Sequence, residues 1–312
     1  MEHPYMVDKS GEPFMVAMDS TLEDHNRHER IFVLARSALL EVLEKIPSTS
    51  ATTLPIYLGL PEFGPFYSQH HAHALCQRLA AEVSWRCKPQ IVPVTEGDAA
   101  GLAAMERAVA GISDGMFQCC IVGGVDSFLD PDILESLDDV CRVASIANRW
   151  GFPPGEGAGM LAVCSPEFAR VSCLHILGWV VSLASTVEKN PINTKTICLG
   201  TGLAKVMQKA AGVAGNQVTK QYCDINGERY REHEFSYAIL RVPPPTFVNS
   251  LDYVSPVDCW GHNGAATGPL LSLLPLVCHN LGFSPGQWPM VWCGSENGRR
   301  GAMVLHLQSG DS

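Results

Sequence analysis

The stretch Ile91–Val125, IVPVTEGDAAGLAAMERAVAGISDGMFQCCIVGGV, decides the reading of this chain. Ile91, Val92 and Val94 supply an extended start, and Gly97, without a Cβ, permits a sharp bend. Asp98 follows where a helix N-cap belongs, and its side-chain oxygen can accept a free amide of the first turn. Leu102, Met105 and Val109 recur at helical spacing and mark a buried face. Gly111 and Gly115 are expected to stop that helix, and Cys119 to Val122 forms a short buried strand ending in Gly123-Gly124. The order is therefore strand, tight turn, helix, strand. A side chain at 98 is presented where backbone amides and the helix dipole favour negative charge. Enzymes place nucleophiles on turns of this kind. Here the residue is a carboxylate.

Further along, Trp260-Gly261-His262-Asn263-Gly264-Ala265-Ala266 opens an apolar helix from Gly268 to Leu281, broken by Gly282, Pro285 and Gly286. Met290 to Cys293 is a strand, followed by Gly294-Ser295. Gly97-Asp98 and Gly261-His262 thus head similar turn-helix-strand units, a duplication of supersecondary structure rather than of residue identity. Set back to back, such units bring two helix N-termini towards one cleft; several of them are also what any α/β protein contains.

The chain has 312 residues, and 46% of them are hydrophobic, so a sizeable core is available. At about 100–200 residues per domain this is one large domain or two smaller ones. No apolar run is long and clean enough to span a membrane, and Met1-Glu2-His3-Pro4 does not begin a signal peptide. Twelve scattered cysteines without a secretory signal favour reduced thiols and a cytoplasmic location. Lys plus Arg number 22 against 32 acidic residues, a formal charge of −10. That argues against nucleic-acid binding, which depends on neutralising phosphates. Arg299-Arg300 is the only basic pair near a candidate site.

Elsewhere, Glu29 to Ile46 reads as an amphipathic helix, Pro47 to Thr53 as a loop and Leu54 to Leu58 as a strand. His70, His71, His73 and Cys76 crowd one helix, but their spacing lacks a second ligand cluster; a histidine-rich surface is the simpler reading and no metal or other cofactor is expected. Asp130 to Val140 is helical. Trp150 to Gly159 is glycine-rich, yet no Lys-Ser or Lys-Thr follows and a strand, Met160 to Cys164, comes next, which disfavours a phosphate loop. Glu156 there is expected to be buried and hydrogen-bonded. Val171 to Ser182 is strand-like and crosses into the second half. Ser185 to Thr194 reads as a loop, Thr196 to Leu199 as a strand, Leu203 to Ala211 as a helix, Gln221 to Ile225 and Met303 to Leu307 as strands. Strands alternate with helices, which predicts a parallel or mixed sheet covered by helices.

Several of these stretches, in order, resemble the beta-ketoacyl synthases of the thiolase superfamily. Val122-Gly123-Gly124-Val125 is similar to the family's Val-Gly-Gly segment, and Gly155-Glu156-Gly157-Ala158-Gly159 to its Gly-Glu-Gly-Ala-Gly motif. Gly261-His262 with Gly264-Ala265-Ala266 and Gly268 resembles its Gly-His-x-x-Gly-Ala-x-Gly motif, and Cys293 to Leu305 its closing glycine-rich loop and strand. The family's usual opening strand is not evident. The resemblance implies an α/β thiolase-like fold of two related halves in five layers, here 1–184 and 185–312, usually as a homodimer. It also implies a cysteine that takes an acyl group and two histidines that assist decarboxylative condensation. Matched on Leu102, the nucleophilic cysteine falls on Asp98. The first histidine falls on Asn226, and only His262 is kept. The family's lysine before the last motif is Val257. The candidate site is accordingly Asp98, Asn226 and His262, with Gly97, Gly264, Ser295, Glu296 and Asn297 lining a substrate pocket.

A thiolate at a helix N-terminus is a strong nucleophile for thioesters; a carboxylate is a weak one whose acyl product is a labile mixed anhydride. Condensation by the usual route is therefore expected to be absent. Three readings follow. The first is a catalytically degenerate homologue that binds, as a homodimeric scaffold, an acyl sensor or the partner of a second protein subunit or acyl carrier. The second is a remodelled enzyme that decarboxylates or hydrolyses acyl or malonyl thioesters, with His262 and Asn226 holding the carbonyl and Asp98 as general base. The third is an acyltransferase with another nucleophile, for instance Ser295. Asp98 as a plain N-cap, His262 as a structural histidine and Asn226 beside Gly227 as a turn residue are the bland alternatives.

Overall fold

In the computed structural model, residues 1–46, 53–83, 88–145, 148–192 and 194–307 are described. The loop expected after Ile46 falls largely outside them. Strands β1 (Glu2–Val7) and β2 (Pro13–Met15) form a hairpin that the polar opening residues did not suggest. Helix α1 (Arg27–Lys45) begins where the side chain of Asn26 accepts the amide of Glu29, and buries Ile31, Ala35, Leu39 and Leu43. There follow β3 (Thr53–Gly59), α2 (Gln69–Glu82), β4 (Lys88–Val94), α3 (Ala100–Ser113), β5 (Cys119–Ser127), α4 (Pro131–Asp139), β6 (Glu156–Cys164) and α5 (Pro166–Val171). The second half comprises β7 (Trp179–Val187), α6 (Thr201–Ala214), β8 (Lys220–Cys223), α7 (Arg229–Ile239), β9 (Tyr253–Val254), α8 (Val257–Trp260), α9 (Thr267–Asn280), β10 (Pro289–Gly294) and β11 (Arg299–His306).

The first half carries a sheet in the order β4-β3-β5-β6, the second a sheet in the order β7-β11-β10-β8-β9. In each, a parallel set is followed by an antiparallel partner: β6 on β5, and β11 on β10. The second sheet has one strand more, β7, on the outer side of β11. The first sheet ends at β6. That is the opening strand missed in the sequence. The boundary expected at 184 falls inside β7, which pairs within the second sheet.

Helices α1 and α2 cover one face of the first sheet. Helices α3 and α9 lie between the sheets, and α6 with α7 packs on the far face of the second. This gives five layers, as the resemblance implied. The middle layer is tight. A Cβ at Gly101 of α3 would lie 2.1 Å from Cδ of Pro269 in α9, so the two helices meet where α3 has no side chain.

Four expectations need correction. Gly111 does not end α3; it sits inside the helix under the ring of Phe117, and Gly115, at φ +71°, ends it. The strand expected over Val171–Ser182 starts only at Trp179, because Ser165 caps and Pro166 opens a short helix first. The start of the loop expected over Ser185–Thr194 is still strand, to Val187. Thr196–Leu199 is not a strand: the carboxylate of Glu188 accepts the amide of Gly202 at 2.6 Å and binds the Thr201 hydroxyl, drawing that loop back to the start of α6.

Candidate functional site

Strand β4 ends at Val94, and Gly97 turns the chain at φ +62° into a single 3-10 turn, Gly97–Ala99, ahead of α3. Asp98 does not cap that helix. The amide of Ala99 donates instead to Oγ of Ser295 at 2.8 Å, and the Ser295 hydroxyl donates to the carbonyl of Glu96. A residue from the other half thus does the capping, and the carboxylate of Asp98 is free to turn inward.

What it meets is Arg231, on the first turns of α7. Nη2 of Arg231 donates to Oδ2 of Asp98, while Nη1 donates to Oδ2 of Asp224 at 2.7 Å and to the carbonyl of Gly294 at 2.9 Å. Asp224 also accepts the amide of Gly294 at 2.7 Å. Nε2 of His262 lies 3.4 Å from the same Oδ2 of Asp98. Arg231, Asp98 and Asp224 are all buried. Burial alone would raise the Asp98 carboxyl, but the charges of His262 and Arg231 reverse this and hold it well below the usual carboxylate range. Asp224 is pushed up, by burial first and by the charge of Asp98 in part, although Arg231 opposes this. The two carboxylates that share one guanidinium are thus shifted in opposite directions, Asp98 down and Asp224 up.

His262 is fixed from both sides. Its amide donates to the carbonyl of Pro153 at 2.8 Å and its carbonyl accepts the amide of Gly155 at 3.0 Å. Its ring packs against Phe152 and Phe128 at centroid distances of 4.8 and 5.2 Å. The Gly155–Gly159 stretch is held by Glu156, whose carboxylate takes Arg30 at 2.8 Å and Ser127 at 2.9 Å. Asn226 is buried and turned onto its own loop: its side chain donates to Glu228 at 3.0 Å and accepts the Glu228 amide at 3.2 Å, beside Gly227 at φ +94°. Glu228 in turn is bound bidentately by Arg142.

Asn226 and His262 do line one cavity, together with Cys223, Asp224, Trp260 and Thr267. Its volume is about 10 Å³, the space of a single water. Cys223 is the thiol in that lining, and burial keeps it protonated, far above its ordinary range. The expected pocket residues lie elsewhere. Gly97 abuts Ser295, and Gly264 abuts the carboxylate of Asp126. Ser295 is the α3 cap described above. Glu296 pairs with Arg142 at 2.6 Å, and Asn297 accepts the amide of Arg299 at 2.9 Å. None of these five lines the cavity.

Arg231 was not among the residues singled out from the sequence. It stands in a polar run, Arg229-Tyr230-Arg231-Glu232-His233-Glu234, that reads as a solvated helix face. The signal available was a negative charge on an otherwise apolar turn, which requires a cation somewhere. Of the crowded histidines, His71 serves as a helix cap with Ser68 and packs against the ring of His28 at a tilt of 38°. Among the described residues the one group spaced for a metal is Glu188, Cys198 and Glu234. Its carboxylates are already engaged, Glu188 by the α6 start and Glu234 by Arg300 at 2.6 and 2.8 Å. No helix among the described residues is long and apolar enough to cross a bilayer.

The two halves, their five layers and the pair of turn-helix units define a thiolase-like α/β fold. Residues 68–169 match the family model "Beta-ketoacyl synthase, N-terminal domain". Among solved structures it is similar to the ketosynthase from module 6 of the bacillaene synthase of Bacillus subtilis 168, with 16% identity and a TM-score of 0.68 over 91% of this chain and 59% of that one. A similar match is the oxazolomycin ketosynthase domain OzmH KS7 of Streptomyces albus JA3453, with 14% identity and a TM-score of 0.66 over 89% of this chain and 57% of that one. A third is a type II ketosynthase in complex with its acyl-carrier protein, with 17% identity and a TM-score of 0.63 over 77% of this chain and 67% of that one. At such identities the likeness shows the fold. This chain spans less than two thirds of the length of the first two. Comparison with curated proteins finds no match.

Proposed function

We propose that this chain is a catalytically degenerate beta-ketoacyl synthase homologue, in which Asp98 stands in the place of the acyl-accepting cysteine and Asn226 in the place of a histidine. It works by binding, as a cytoplasmic two-copy scaffold or as the partner of another subunit or acyl carrier. The observation that carries this reading is Arg231. Its guanidinium binds and neutralises Asp98, so the residue in the nucleophile's place is a buried counter-ion. A carboxylate held that far below the usual range is a poor proton acceptor at neutral pH. The adjoining cavity, about 10 Å³, has room for roughly one water and none for an acyl chain.

The second reading, thioester decarboxylation or hydrolysis by His262 and Asn226, has one observation in its favour, the shared cavity. Against it, the Asn226 side chain is spent on Glu228. Incubation with acetyl and malonyl thioesters followed by intact-mass measurement, with thiol release followed in parallel, separates the two. The expected result is an unmodified chain and no release above that of the free thioester. Release that disappears in His262→Ala establishes the second reading instead. Asp98→Cys by itself is expected to remain unacylated, because the adjoining cavity leaves no room for an acyl chain.

A further inference from the structure

Charge is spread unevenly along this chain. Residues 189–252 hold 8 of its 22 basic residues but only 5 of its 32 acidic ones. From Lys189 to Cys223 there is no Asp or Glu, yet Lys189, Lys195, Lys205, Lys209 and Lys220 all stand there. The fold removes most of the acids that remain. Asp224, Glu228 and Glu234 are buried on Arg231, Arg142 and Arg300, and Asp252 lies 3.5 Å from Lys220. Glu232 is the exposed one.

The basic side chains gather on the outermost layer. Helices α6 and α7 pack on the far face of the second sheet, so their outward sides form the surface there. Lys205 and Lys209, one turn apart on α6, are both exposed. Between them Gln208 donates to the carbonyl of Arg241 at 2.6 Å, which joins this stripe to the end of α7. At the other end the carboxylate of Glu188 accepts the amides of Lys189 at 3.0 Å and Gly202 at 2.6 Å, so Lys189 sits at the start of α6. Lys195 is exposed on the loop between them. None of Lys189, Lys195, Lys205, Lys209 and Arg241 meets a carboxylate among the described residues.

Large aliphatic side chains stand among these cations: Ile197 is 73% exposed, Val213 66% and Leu240 80%. The choice of cation also differs from the rest of the chain. Fixed carboxylates are met by arginine, whose planar fork matches them; among the described residues Lys9 and Lys220 are the only lysines in an ion pair. The outer face uses lysine instead, a point charge on a flexible stem. Such charges, with aliphatic groups beside them, suit mobile anionic headgroups over acyl chains better than a fixed protein carboxylate.

We propose that the outer face of α6 and α7 docks on an anionic phospholipid bilayer, its unpaired cations on the headgroup phosphates and Ile197, Val213 and Leu240 entering the interface. The acidic excess of the chain lies outside this segment, and charges further off than a Debye length, about 8 Å at physiological salt, are largely screened. A formal charge of −10 therefore does not cancel the local attraction. Nothing in this docking depends on the Asp98 site, so it stands or falls apart from the role proposed above.

The test is sedimentation of the full chain with vesicles of phosphatidylglycerol mixed with phosphatidylcholine, and with vesicles of phosphatidylcholine alone. Binding to the mixed vesicles is expected, weakening as salt is added, with none to phosphatidylcholine alone. Lys205→Gln combined with Lys209→Gln is expected to weaken it about thirtyfold, roughly 2 kcal/mol at about 1 kcal/mol per lysine. Leu240→Ser is expected to weaken it as well, and Lys9→Gln, in the turn after β1, to leave it unchanged. All four positions are exposed, and thermal melts check that each variant keeps the fold. Absence of binding to the mixed vesicles overturns the proposal. So does binding that the double substitution leaves intact, or equal binding to phosphatidylcholine alone. Retention on immobilised polyglutamate without binding to vesicles also overturns it, and gives the face to an acidic protein.

Discussion

Replacing Arg231 by alanine removes the shared counter-ion of Asp98 and Asp224 and leaves two carboxylates in the interior. The expected loss is about 3–5 kcal/mol, read from urea unfolding. Asp98→Ala is expected to cost less, because Arg231 keeps Asp224 and the carbonyl of Gly294. The same residues set the acid limb of stability. Asp98 is held below its unfolded value of about 3.9, so its contribution is full above that value and is lost as pH falls through the folded one. Stability of the wild type is therefore expected to decline below about pH 4, and Asp98→Asn to flatten that decline in thermal melts from pH 7 down to pH 2. From sequence, Asp98 and His262 were legible as the heads of two helical units, and the structure brings them within 3.4 Å. Arg231 was not legible. A buried arginine has no periodic signature, and its partner lies 133 positions away in the chain.

At the scale of elements, α3 starts without a side chain of its own as cap and relies on Ser295. Ser295→Ala is expected to cost about 1 kcal/mol, the usual value of such a cap. Gly101→Ala, which in a solvated helix would stabilise, is expected here to destabilise by about 1–3 kcal/mol, since its Cβ collides with Pro269. Chemical denaturation of the two variants side by side checks both signs. The helices α1, α3, α6 and α9 and the buried strands β5 and β10 were readable because their apolar residues repeat at clear periods. The failures have physical causes as well. Helix α7, with mostly polar residues around Phe235 and Ala238, offers little amphipathic contrast, and the loop before α6 is shaped by the distant carboxylate of Glu188 rather than by its own sequence.

For the molecule as a whole, the missing opening strand was noticed in the sequence as an absence, and among the described residues the first sheet ends at β6. The layered arrangement also ties the halves together chemically. Asp98 belongs to the first half and Arg231 to the second, Ser295 of the second closes the helix start of the first, and Asp126 of the first accepts the amide of Ala265. Cut between α5 and β7, the first fragment would bury Asp98 without the arginine that neutralises it, whereas the second keeps Asp224 for Arg231. The first part cannot bury its interior alone without stranding an ion, so expressing it by itself should give a chain that stays open until its complement arrives.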